Sequence, residues 1–111
     1  MTWEDVLAHA GALPGAAAGS HYGKPAIKAN GRPVVTPGHE PGSFCLHLDL
    51  ESVDMLKETD PATFWQSPHY EGWPVVLVRY ATDDPERVLA MIDRAHDQAL
   101  AARPRRSRAS R

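Results

Sequence analysis

The chain has 111 residues, 42% hydrophobic and 23% charged, which is the size and make-up of one ordinary soluble domain without room for a second core. No apolar run approaches the ~18 residues needed to cross a bilayer, and the first residues lack the basic-then-apolar layout of a signal peptide, so a cytoplasmic protein with no membrane partner is expected. The single cysteine, Cys45, excludes an internal disulfide and fits a reducing compartment.

The opening residues 2–13 read as a helix. Thr2 can cap its free amides, Glu4 and Asp5 lie near the positive end of its dipole, and Trp3, Val6, Leu7, Ala10 and Leu13 recur on one face. Pro14-Gly15 stops it, and the Gly-, Ala- and Ser-rich residues 15–25 read as a loop or weak turn. Residues 25–29 and 32–36 then read as strands flanking Asn30-Gly31, a pair suited to a type I′ hairpin turn because both tolerate positive φ. Pro37, Gly38, Pro41 and Gly42 make the next stretch a loop. Residues 43–50 alternate, with Phe44, Leu46, Leu48 and Leu50 on one face and Ser43, Cys45, His47 and Asp49 on the other, as in a half-buried strand.

Residues 51–57 read as a short helix with Val53 and either Leu56 or Met55 turned inward. A turn at Asp60-Pro61 precedes a brief strand over 64–67, and Trp73-Pro74 leads into a strong strand over 75–81. Asp84-Pro85 is a good helix start, followed at helical spacing by Val88, Leu89, Ile92, Ala95, His96, Ala99 and Leu100 and ended by Pro104. The expected fold is α+β, a two-layer sandwich of one antiparallel sheet with helices on one face, in the order α-β-β-β-α-β-β-α. Residues 1–102 form the domain and residues 103–111 a disordered Arg-rich tail.

The charge is unevenly spread. The chain has 12 basic and 14 acidic residues, and Arg103, Arg105, Arg106, Arg108 and Arg111 fall in a tail without acid. Without those five, residues 1–102 hold 7 basic against 14 acidic residues, a formal −7. A phosphate backbone should therefore be repelled by the body at long range and drawn to the tail.

No pattern specifies a reaction or a cofactor. Zinc sites show close ligand pairs, whereas His39-Glu40 runs into Pro41-Gly42, and His69 and Glu71 ligate together only if one strand face carries both. Solvated or hydrogen-bonded imidazoles are the plainer reading of the six histidines. Cys45, His47 and Asp49 share a strand face, but parallel Cβ vectors seldom converge on one substrate atom, so an outward polar face is expected there rather than a nucleophile. His69-Tyr70-Glu71-Gly72-Trp73, bounded by Pro68 and Pro74, suits an aromatic binding loop, or a seal of the sheet edge against the last helix. Lys28, His47 and Arg79 can share the face left uncovered by helices, where basic groups near Tyr22 and Trp73 would suit phosphates and stacked bases.

Several strings resemble the MmcQ/YjbR family over residues 2–100: Thr2-Trp3-Glu4-Asp5-Val6, Leu13-Pro14-Gly15, His21-Tyr22-Gly23-Lys24-Pro25-Ala26-Ile27-Lys28 and Leu46-His47-Leu48-Asp49. The most telling is Ser67-Pro68-His69-Tyr70-Glu71-Gly72-Trp73-Pro74, followed by Val76-Leu77-Val78-Arg79. The resemblance implies a two-layer fold similar to secretion-chaperone-like proteins and a double-wing DNA-binding role, with no catalytic residues to carry over. Where relatives often have an apolar aromatic stretch and a charged hairpin, residues 32–42 are rich in proline, which removes amide donors and stiffens the segment. A non-enzymatic binding protein with DNA as its partner is thus expected, using Lys28, Arg79, His69 and the tail. Its alternatives are a small-molecule or enzymatic site around His47, His69, Glu71 and Trp73, and a chaperone-like module that binds a protein partner or a second copy.

Overall fold

A computed structural model describes residues 1–21 and 23–102. Its elements are α1 (Trp3–Gly11), β1 (Ala16–His21), β2 (Lys24–Ala29), β3 (Arg32–Pro37), β4 (Ser43–His47), α2 (Leu50–Thr59), β5 (Phe64–Trp65), β6 (Val75–Arg79) and α3 (Pro85–Ala101). The six strands form one antiparallel sheet in the order β1-β2-β3-β4-β6-β5. The three helices pack against one face of it, giving an α+β fold of two layers.

Local chemistry sets each boundary. The Thr2 hydroxyl accepts from the Asp5 amide while the Asp5 carboxylate accepts from the Thr2 amide, a reciprocal cap on α1. Asn30 (φ 54°) and Gly31 (φ 73°) both take left-handed backbone at the β2–β3 hairpin. The Asn30 side chain also reaches α3, where its amide donates to the carbonyls of Ala99 and Ala102 and satisfies the open end of the helix. Asp84 caps the start of α3 with Pro85 at its first position.

The core lies between the sheet and the helices. It joins Val6 and Ala10 of α1, Val53 and Leu56 of α2, and Val88, Ile92, Ala95 and Ala99 of α3 to Ile27, Phe44, Leu46, Val76 and Val78 of the sheet. A β-bulge between Ile27 and Lys28 shifts the β2–β3 register and lets Val34 and Val35 both reach this core. His96 is buried with it and bonds through Nε2 to the Pro14 carbonyl, tying α3 to the turn after α1.

Six sequence expectations are corrected. Residues 16–21 are a strand, not a loop: β1 pairs along β2, and this pairing overrides the poor strand propensity of Ala, Gly and Ser. Four strands therefore precede α2 where three were expected. The strand read over 43–50 ends at His47, because Asp49 turns to cap α2 and Leu50, now the first helical residue, is 46% exposed. Leu100 is likewise exposed rather than part of the buried stripe of α3. The brief strand is Phe64–Trp65 and the strong one Val75–Arg79, both shorter than expected, and α1 stops at Gly11. The 103–111 tail and Pro104 lie outside the described residues.

Candidate functional site

Strand alternation sends Thr36, Cys45, His47, Val75, Leu77 and Arg79 to the sheet face opposite the helices. This outer face is partly covered. The loop of residues 66–74 between β5 and β6 folds over it, and Tyr70 and Trp65 pack on a second small cluster of Cys45, Val75 and Leu77. That cover explains why both faces of β4 and β6 are buried along most of their length, despite the half-buried alternation of 43–50.

A single side chain holds much of the loop in place. The Gln66 amide nitrogen donates to the backbone carbonyls of Tyr70 (3.0 Å), Trp73 (2.9 Å) and Val75 (2.7 Å). Its oxygen accepts from Lys57 Nζ of α2 at 2.7 Å. Within the loop, the amides of Tyr70, Trp73 and Val75 donate to the carbonyls of Ser67, Tyr70 and Trp73.

Between loop and sheet lies a cavity of about 570 Å³. Thr36, Cys45, His47 and Val75 come from the strands, His69, Tyr70, Trp73 and Pro74 from the loop, Pro37 and His39 from the end of β3 and the turn beyond it, and Lys24 from the start of β2. Among the described residues no carboxylate lines it. The His69 ring meets Tyr70 edge-on at 4.8 Å and His39 edge-on at 6.3 Å, while Trp73 stands 63% exposed. The Thr36 hydroxyl lies 2.9 Å from His47 Nε2. Burial pushes the Cys45 thiol above its ordinary value, against hydrogen bonding to Tyr70 and Thr36 that pulls it down. A protonated, buried sulfur is a poor nucleophile.

Of the residues singled out from sequence, His47, His69, Tyr70 and Trp73 meet at this cavity. Tyr70 and Trp73 line it over the outer face and do not seal the sheet against the last helix. Glu71 is exposed on the loop and does not line the cavity. Lys28 is on the same sheet face, its alkyl chain beside Gly19 of β1, and Arg79 lays its guanidinium 4.3 Å from the Trp65 ring centre; neither lines the cavity. Asp49 has left the strand, and hydrogen bonding to Ser52 at the start of α2 holds its carboxyl below the usual range, so Cys45, His47 and Asp49 form no triad. Among the described residues no three His, Cys, Asp or Glu side chains come close enough to hold a metal ion. Tyr22 and Arg103, Arg105, Arg106, Arg108 and Arg111 lie outside the described residues. Thr36 and Gln66 were not singled out in the sequence, Lys24 appeared there only within a longer string, and His39 only as half of a rejected ligand pair; each gains its place through sheet pairing or loop packing.

The fold also sorts charge. All 14 acidic residues lie in the helices, their caps or the connecting loops. The strands carry none, and hold Lys24, Lys28, Arg32 and Arg79.

No family model, curated protein or solved structure matches this chain.

Proposed function

We propose that this chain is a non-enzymatic binding protein of MmcQ/YjbR-like type, which takes nucleic acid on the sheet face that the helices leave free. The observation that carries this reading is the sorting of charge. The body is acidic as a whole, but its carboxylates lie off the strands, while Lys24, Lys28 and Arg79 share one sheet with exposed Trp73 and imidazoles beside them. Cations with interleaved rings suit phosphates and bases together. The five tail arginines would add an attraction without sequence preference.

The cavity supports a second reading, a small organic ligand, since about 570 Å³ falls within the roughly 300–1,000 Å³ of ordinary ligand pockets. Fluorescence anisotropy with labelled DNA over a salt series separates the contributions. The full chain, a chain ending at residue 102, and the Lys24→Gln/Lys28→Gln/Arg79→Gln variant are compared. Each cation that neutralises a duplex phosphate steepens the logarithmic salt slope by about 0.9, so full engagement of the three face cations contributes about 2–3 and the five tail arginines about 4–5. A triple variant that binds like the parent would exclude the sheet face.

A further inference from the structure

The cavity wall is unusual for a phosphate site in being built mainly of rings. Trp73, Tyr70, His69 and His39 surround it, with Val75 and the neutral Cys45 thiol as apolar floor. Beside the nitrogens of His39 and His69 and the Tyr70 hydroxyl, the polar groups are the Thr36–His47 pair on the sheet and the Lys24 ammonium on the strand beyond. Among the described residues no carboxylate lines the cavity, so nothing there opposes Lys24 in meeting an anionic group of an incoming ligand. The loop wall is pre-formed, because Gln66 ties three of its carbonyls together before any ligand arrives.

We propose that this cavity receives one unstacked nucleobase, with the attached phosphate against Lys24. A nucleobase is planar, offers π-faces to aromatic walls, and carries donors and acceptors on its edge for a hydroxyl and an imidazole. A base inside a duplex presents neither free face, so the ligand is single-stranded nucleic acid or a free nucleotide. The inference rests on the nucleic-acid reading above and names the part of the ligand that the cavity takes.

The test measures binding of mononucleotides by calorimetry, and of labelled oligothymidylate and a duplex of equal length by anisotropy. The proteins are the full chain, Trp73→Ala, Lys24→Gln and the face variant Lys28→Gln/Arg79→Gln. Single strand should bind more tightly than duplex. Trp73→Ala should weaken single-strand binding roughly five- to hundred-fold with the melting temperature unchanged, as loss of one stacked base does. Lys24→Gln should flatten the single-strand salt slope by about 0.7. Mononucleotides that bind in a Trp73-dependent way identify a free nucleotide as sufficient; Trp73-dependent binding of the oligomer alone identifies the strand as the source. Single-strand binding indifferent to Trp73 and Lys24, with duplex binding still weakened in the face variant, overturns the base pocket and leaves the sheet-face reading intact. No binding of any nucleic acid overturns both.

Discussion

Removing the Gln66 side chain should loosen the loop that roofs the cavity while leaving the fold in place. Its amide nitrogen has two hydrogens for three carbonyl acceptors, so it makes about two full bonds' worth of interaction, the bonds to Tyr70 and Val75 being partly buried and that to Trp73 open to water. At about 0.5–1.5 kcal/mol net per bond, Gln66→Ala costs the closed loop on the order of 1–2 kcal/mol after water compensates the exposed carbonyl. Local opening then becomes about 5–30 times more frequent, and amide hydrogen exchange at Tyr70, Trp73 and Val75 should accelerate by that factor. Core amides such as those of Leu46 and Leu77 should change no more than the global stability does. Gln66→Glu sharpens the test. It keeps the length and the contact with Lys57, yet turns an acceptor toward three carbonyls, so exchange in the loop should be at least as fast as with alanine. Unchanged exchange at those amides in both variants would mean that other contacts hold the loop and that Gln66 is no clamp.

Three further expectations follow from packing and titration. Leu48, 3% exposed, joins the main core, so Leu48→Ala should lower unfolding free energy by about 2–5 kcal/mol in denaturant titrations; a loss under about 1 kcal/mol would contradict its place there. Burial raises the Cys45 thiol in the folded chain above its unfolded value, so the neutral thiol's contribution is complete below about pH 8.5 and declines as pH rises past it. Alkylation of the folded chain at neutral pH should accordingly be far slower than in urea, and equal rates would refute the burial of this sulfur. Asp49 caps α2 and is held below the usual carboxylate range, so Asp49→Ala should cost about 0.5–2 kcal/mol at neutral pH. That contribution is present above the unfolded value near 3.9 and lost as pH falls through the folded one, so parent and variant should converge in acid; a constant difference would point to packing instead.

The helices were legible in the sequence because they carry local signals. Thr2 and Asp84-Pro85 mark starts, and Val6, Ala10, Val88, Ile92 and Ala95 recur at helical spacing and are buried as that spacing implies. Asn30-Gly31 marked its hairpin for an equally local reason, the positive φ at both positions. Strand β1 was not legible, since Ala-Ala-Ala-Gly-Ser has neither alternation nor strand propensity, and becomes a strand only through pairing with β2. Nor could alternation in 43–50 reveal that Cys45 is buried, because its cover, Tyr70, comes from a loop 25 positions later in the chain. Half of the site shared this fate. His69, Tyr70 and Trp73 stood out as one string, but Lys24, Thr36 and His39 reach the same cavity from other segments, by the adjacency of β2, β3 and β4. Gln66 acts on backbone carbonyls, and a sequence does not display which carbonyls a side chain will find.

Net charge is the point at which sequence and structure pull hardest in different directions. A formal −7 over residues 1–102 describes a monopole, and a monopole repels phosphate from every side. A ligand at contact feels something else. The helix layer is about 10 Å thick and stands behind the sheet, so much of its acidic charge lies about a Debye length or more from the outer face at physiological salt. Lys24, Lys28 and Arg79 act at contact distance, where screening is weak. Diluting the salt to about 0.01 M stretches the screening length to about 30 Å and brings the helix-layer carboxylates back into play. Affinity for a chain ending at residue 102 should therefore rise less steeply at low salt than the straight line drawn through physiological salt. A strictly linear plot down to that concentration would mean that the carboxylates do not oppose binding, and that the sorting of charge between helices and strands has no part in it.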